Sequence, residues 1–231
     1  MKKHLIVVSL LFGCSATSAP ASVPITWSND QIDQLAGWLD AAPKEALQMP
    51  PANDFITARR AGEPQTLQLS ATDAALKLAN AYLHGNDTAR KQAKWNVDVE
   101  SDNAVDLNAL LTSSLAKNDV NGFFRSLRPH HPDYETLRSA FAIEADPARR
   151  VKLAHNMERW RWMPQSLGNR YLLVNAAAYE VALWENGRRV QSWPVVVGKI
   201  KTPTPVFSTE PKCASIVRLT EARVPSTTGF H

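Results

Sequence analysis

Few residues in this chain have the chemistry to attack a bond, hold a metal or carry a proton: two cysteines, Cys14 and Cys213, and six histidines. A cysteine is a nucleophile only as its thiolate, which needs a neighbouring base or cation to form at neutral pH. Cys213 stands in Lys212-Cys213-Ala214, and no histidine lies between His155 and His231. An incidental thiol in an irregular tail is therefore the favoured reading, and a nucleophile the minor one. His130 and His131 are adjacent within Arg128-Pro-His-His-Pro132. Such a pair can bind metal, but no cluster of cysteines or carboxylates at ligand spacing completes a site. Pro132 suits the first turn of a helix, so a capping turn is expected there. His84 beside Gly85 suits a helix C-terminus, where a cation meets the dipole, and His155 reads as structural. Asp98, Glu100, Asp102 and Asp106 read as a solvated acidic face, because the spacing and glycine of a calcium loop are missing. On these residues no catalytic residue, no metal site and no cofactor is expected, and the substrate-binding residues stay unknown.

Trp160, Trp162, Trp184 and Trp193 fall in an arginine-rich stretch. Indoles there can stack on glycan while arginines meet carboxylates. Alternatively, the aromatics pack one part of the chain on another and the arginines stay solvated. Packing is favoured, because buried aromatics dominate core energetics.

The elements that must position these groups begin after a leader. Lys2 and Lys3 precede an apolar run from Leu5 to Phe12 and small residues ending at Ala19-Pro20-Ala21. That is the pattern of a secretory signal over residues 1–21, too short to span a bilayer as a mature helix. Leu11-Phe-Gly-Cys14 also resembles a lipobox, with Phe12 atypical. Two outcomes stay open: cleavage after Ala21, or acylation of Cys14 giving a membrane lipid anchor. Under either, Cys14 is not left to pair with Cys213, and no disulfide is expected. The formal charge of +4 is not a nucleic-acid signal. Residues 23–148 hold 11 basic and 17 acidic side chains, whereas residues 149–201 hold 10 basic and 3 acidic. Two regions with different roles average to that value, and no nucleic-acid partner is expected.

From Trp27 to about Arg161 the apolar spacing is helical. Ile32, Leu35 and Leu39 form one stripe, ended near Pro43. Residues 48–68, with three prolines, read as a long loop. Ser70-Ala-Thr-Asp73 reads as a capping box opening a helix with Ala75, Leu78, Ala79 and Tyr82 on one face, closed by Gly85. Further stripes are Leu107, Leu110, Leu111 and Leu115; Phe123, Phe124 and Leu127; and Tyr134, Leu137 and Phe141. Asp146-Pro147 caps a helix running toward Trp160. At Arg170 the period changes to two. Tyr171–Asn175 reads as a strand, and the run from Tyr179 to Trp184 leads to Asn186-Gly187, a strong hairpin signal because both turn positions need positive φ. The return strand runs from Arg188 to about Val197 and ends at Gly198. Pro194 within it points to a sheet edge. From Pro211 to His231 neither a strand pattern nor a helical stripe is evident, leaving a sheet with an unpaired edge and an uncovered face.

The most specific stretch is Asn156-Met-Glu-Arg-Trp-Arg-Trp-Met-Pro164, followed by Tyr171-Leu-Leu-Val-Asn175, Trp184-Glu-Asn-Gly187, Val195-Val-Val-Gly-Lys199 and Thr202-Pro-Thr-Pro-Val-Phe-Ser208. This run resembles the beginning of the catalytic domain of bacterial L,D-transpeptidases. The helical region before it is similar to the scaffold domain of larger members, through Ser70–Leu83, Trp95-Asn-Val-Asp98 and Leu127-Arg-Pro-His-His-Pro-Asp-Tyr134. The resemblance spans roughly residues 27 to 208. It implies an α+β chain: a signal peptide (1–21), a helical scaffold-like domain (22–155), a partial, mainly-β catalytic domain (156–210) whose sandwich is incomplete, and an irregular tail (211–231). It also implies cysteine acyl transfer that joins peptidoglycan stem peptides 3→3, a periplasmic location, and peptidoglycan as partner. The family's His and Ser-x-Gly-Cys-x-Arg-like motif, well downstream of the hairpin, has no counterpart in these residues. Three readings stay open: an enzyme of this family that is catalytically incomplete in this chain, a non-catalytic wall-binding module, or a truncated remnant.

Overall fold

The computed structural model describes residues 25–97, 105–198 and 206 together with the strands Ser208–Thr209 and Ser215–Leu219. The leader and Cys14, the acidic residues Asp98, Glu100 and Asp102, the segment from Lys199 to Pro205, and Cys213 lie outside the described residues.

The fold is α+β, helices first and a sheet after. Helix α1 (Asn29–Ala41) opens on a true capping box: Ser28 Oγ accepts from the Gln31 amide, and the Gln31 side chain accepts from the Ser28 amide. A 3-10 turn, Ala42–Glu45, follows with Pro43 inside it. The stretch expected as a long loop instead contains α2 (Asn53–Ala61) and the start of α3 (Pro64–His84). The proline that suggested a loop occupies the N-terminal turn of α3, where no amide partner is lost. The capping box expected at Ser70 is therefore not one. Ser70 lies inside α3, and its hydroxyl bonds back to the Leu67 carbonyl. Gly85 closes α3, and α4 (Asp87–Gln92), α5 (Leu107–Ala116) and α6 (Val120–Leu127) follow. Helix α7 (Pro132–Ile143) is capped by His131, and α8 (Pro147–Arg161) by Asp146, whose carboxylate accepts from the Ala148 and Arg149 amides.

Strands β1 (Arg170–Asn175), β2 (Glu180–Glu185) and β3 (Arg188–Pro194) form the expected meander. The β2–β3 turn has Asn186 and Gly187 at φ 51° and 74°, the geometry that made Asn-Gly informative. Among the described residues the sheet has five strands in the order β3-β2-β1-β5-β4, with β4 at Ser208–Thr209 and β5 at Ser215–Leu219. β3, which carries Pro194, is an edge as expected. The tail expected to be irregular from residue 211 is thus corrected in part. β5 pairs parallel with β1, Leu173 opposite Val217, and antiparallel with β4. Sequence periodicity is weak there because a strand paired on both sides draws its order from the ladder rather than from one apolar face.

Two apolar cores result. The first joins α1, α2, α3, α5 and α6 through Leu35, Phe55, Leu78, Tyr82, Leu111 and Phe124. The second joins α7, α8 and the inner face of the sheet through Tyr134, Met157, Trp160, Tyr171, Leu173 and Trp184. Helices α7 and α8 therefore pack with the sheet, and Trp95 and Val97, from the segment after α4, join them in the second core.

Candidate functional site

The signature run Asn156–Pro164 lies on the last turns of α8 and the segment beyond. There Met157, Glu158, Trp160, Arg161, Trp162 and Met163 are all buried. The expectation that its arginines stay solvated fails at Arg161, which is 1% exposed. Its guanidinium donates to Glu158 Oε2 at 2.9 Å, to the Glu45 carbonyl at 2.5 Å and to Tyr134 Oη at 3.1 Å. A buried charge persists only when paired and hydrogen-bonded, and these partners supply both. Glu158 in turn accepts from Trp162 Nε1 at 3.0 Å and from the Asn86 amide just beyond α3. Glu45 accepts from Arg128 at 2.6 Å. Burial pushes the Glu45 carboxyl up against the pull of Arg128, Arg138 and Arg161. One ionic thread thus ties the 3-10 turn of the first core to α8 of the second. The i,i+3 pair Glu158–Arg161 was the available sequence signal, but i,i+3 ion pairs on exposed helix faces look the same in sequence.

Above this network sits an aromatic cluster around His131. Its ring stacks on Trp160 with centroids 4.2 Å apart and meets Trp184 edge-on at 4.4 Å. Nδ1 accepts from the Asp133 amide at 3.1 Å, which is the cap of α7, and Nε2 lies 2.9 Å from Tyr171 Oη. Burial pulls the His131 pKa down to about 4, so the ring is neutral, and pushes the Tyr171 hydroxyl up to about 12. A cleft of about 170 Å³ opens beside the cluster, walled by Pro129 to Pro132, Trp160, Met163 to Gly168, Tyr171 and Gly187. Trp160, Trp162 and Trp184 are each 5% exposed, which agrees with the packing role, whereas Trp193 on β3 is 39% exposed. The capping turn expected at His130-His131 is present. Its ring stack and its bond to Tyr171, contributed by residues 40 positions apart, had no signal in the sequence.

The remaining candidates do not converge on this cleft. Asp106 caps α5 by accepting from the Asn108 and Ala109 amides. His84 ends α3, and His155 lies on the exposed side of α8. Among the described residues no group of three His, Cys, Asp or Glu side chains could hold a metal ion. No described helix is long and apolar enough to cross a membrane.

Family comparison also separates a helical part from a sheet part, and its boundary places most of α7 with the helices. The family model for a scaffold domain matches residues 24–141, and the model for an L,D-transpeptidase catalytic domain matches residues 169–223. The second match takes in β5, the strand that the sequence pattern missed. No curated protein matches the chain.

Proposed function

Because the chain belongs to the L,D-transpeptidase family, we propose that it is an exported periplasmic protein that associates with peptidoglycan and does not cross-link it unaided. The leader from Lys2 to Ala21 supports export, and the murein layer is the family's substrate class. The family's role is 3→3 cross-linking of stem peptides through a cysteine acyl-enzyme. That reaction needs a thiolate, a base within hydrogen-bond reach and donors for the oxyanion. The observation carrying the proposal is the state of His131, the histidine at the heart of the junction. It is neutral, both ring nitrogens are engaged, and it is stacked on Trp160 with Trp184 edge-on against it. A ring so held is a structural cap and has no nitrogen left to take a thiol proton. The Lys212-Cys213-Ala214 context likewise offers the thiol neither a glycine before it nor an arginine two places after.

The test is incubation of the purified chain with disaccharide-tetrapeptide, products being separated by chromatography and mass. No joined tetrapeptide dimer is expected. A 3→3 dimer that disappears on Cys213→Ala would overturn the proposal of inactivity. Sedimentation with purified sacculi tests association separately: the chain is expected in the pellet, and its complete recovery in the supernatant would sink that part.

A further inference from the structure

We propose that the cleft beside His131 is a binding site for an uncharged, N-acetylated sugar ring, so that the chain grips the glycan part of peptidoglycan rather than its peptides. This rests on the peptidoglycan association proposed above. The directing group is Tyr171. Because Nδ1 of His131 accepts the Asp133 amide proton, the neutral ring must carry its own proton on Nε2. Nε2 therefore donates to Tyr171 Oη across 2.9 Å, and the tyrosine hydroxyl acts there as acceptor. Its own proton has no acceptor among the described residues, and the hydroxyl keeps that proton to about pH 12. A donor fixed in this way has its complement in an acceptor brought by a ligand, and Tyr171 stands in the wall of the cleft.

The rest of the wall narrows the ligand class. It contains no Asp, Glu, Lys or Arg, which disfavours the carboxylates and amines of a stem peptide, since a charge taken from water needs a partner. The rings of Pro132 and Pro164, which are not buried, offer apolar surface of the kind that accepts the C–H face of a pyranose. At about 170 Å³ the cleft is below the range of sites that enclose drug-sized ligands. It suits one ring or one acetamido group. The acetamido carbonyl supplies the acceptor that Tyr171 lacks.

The test uses the full chain and β-1,4-linked N-acetylglucosamine trimer as probe, followed by calorimetry and by tryptophan fluorescence. Saturable binding is expected. It should weaken on the order of tenfold with the de-acetylated trimer, and by a similar factor in Tyr171→Phe. Ser166→Trp, on the exposed rim, should fill the mouth and abolish binding while leaving the thermal transition unchanged. Binding that is equal in Tyr171→Phe, or that survives Ser166→Trp, overturns the assignment. Sacculus sedimentation without any response to the trimer also overturns it while leaving murein association intact. Loss of both removes the broader proposal as well.

Discussion

The two cores of this molecule are held by different physics. The helical core is filled by Leu35, Leu78, Leu111 and Phe124, each 0% exposed, and the polar tips of its tryptophans sit at its margin. Trp27 Nε1 reaches Thr72 Oγ1 at 3.0 Å, and Trp38 Nε1 reaches Asn121 Oδ1 at 2.8 Å. The junction core instead buries a guanidinium, a carboxylate and an imidazole among tryptophans, so its order depends on directed bonds. An apolar core demands volume and forgives rearrangement, because dispersion and the hydrophobic effect have no direction. A core containing Arg161 and Glu158 has one arrangement in which both charges are paired, and any other leaves a charge unpaired. The lesson is that the junction is specified more tightly than the scaffold and fails more sharply when one partner is lost.

Arg161→Met strikes that difference hardest. It strands the Glu158 carboxylate in the interior and is expected to cost about 3–5 kcal/mol in urea denaturation. The near-UV tryptophan signal should be lost at lower urea than the far-UV helical signal. Coincident transitions would show that the two cores melt as one unit. Leu78→Ala in the helical core should cost about 3 kcal/mol from lost burial and the cavity left, and here the helical signal should lead. A loss well under 1 kcal/mol would mean that the first core is loosely packed. Gly85→Ala probes the seam between the cores. Gly85 has φ 62° and ψ −150°, a conformation nearly closed to other residues. An added Cβ there would also collide with the Glu158 carboxylate and press on the Trp162 indole. About 2 kcal/mol of destabilisation is expected, with the near-UV signal affected first.

The last contrast is in pH, where the opposed shifts of His131 and Asp133 partly offset one another. Unfolded His131 takes a proton near pH 6.5, whereas the folded ring resists until about pH 4. Between those values the unfolded state binds more protons, so the His131 contribution is complete above pH 6.5 and is lost as pH falls toward 4. The Asp133 carboxyl, pushed up by burial, works in the opposite sense at the acidic end. Thermal melts from pH 7 to pH 4.5 should show a falling midpoint in the wild type and a flatter profile in His131→Asn, which retains a capping side chain. Parallel profiles would remove His131 as the source.

Much of the fold is legible in the residues themselves. The Asn186-Gly187 hairpin, the Asp146-Pro147 cap, the His131-Pro132 cap and the stripe from Ala75 to Tyr82 are local, fixed by φ preference, missing amides and periodicity. Residues 48–68 and Ser70 differ from expectation because Pro64 suits the first turn of α3 and the longer helical frame takes in Ser70, whose hydroxyl bonds to the Leu67 carbonyl. The candidate site was far less legible. His131, Trp160, Tyr171 and Trp184 come from four separate segments, and nothing within a window of a few residues marks them as neighbours.

Legible in the residues alone were most of the helices, the β1–β3 meander, the caps at His131 and Asp146 and the family, because these depend on short-range backbone preferences and on a recognisable run of residues. Tertiary structure alone decided that α7 and α8 belong with the sheet, that Arg161 is buried and paired rather than solvated, and that Ser215–Leu219 becomes a strand beside β1. It also decided that His131 and Tyr171 form one hydrogen-bonded unit at a cleft. Each of these is a choice between water and a protein partner, and that choice is made only when distant segments meet.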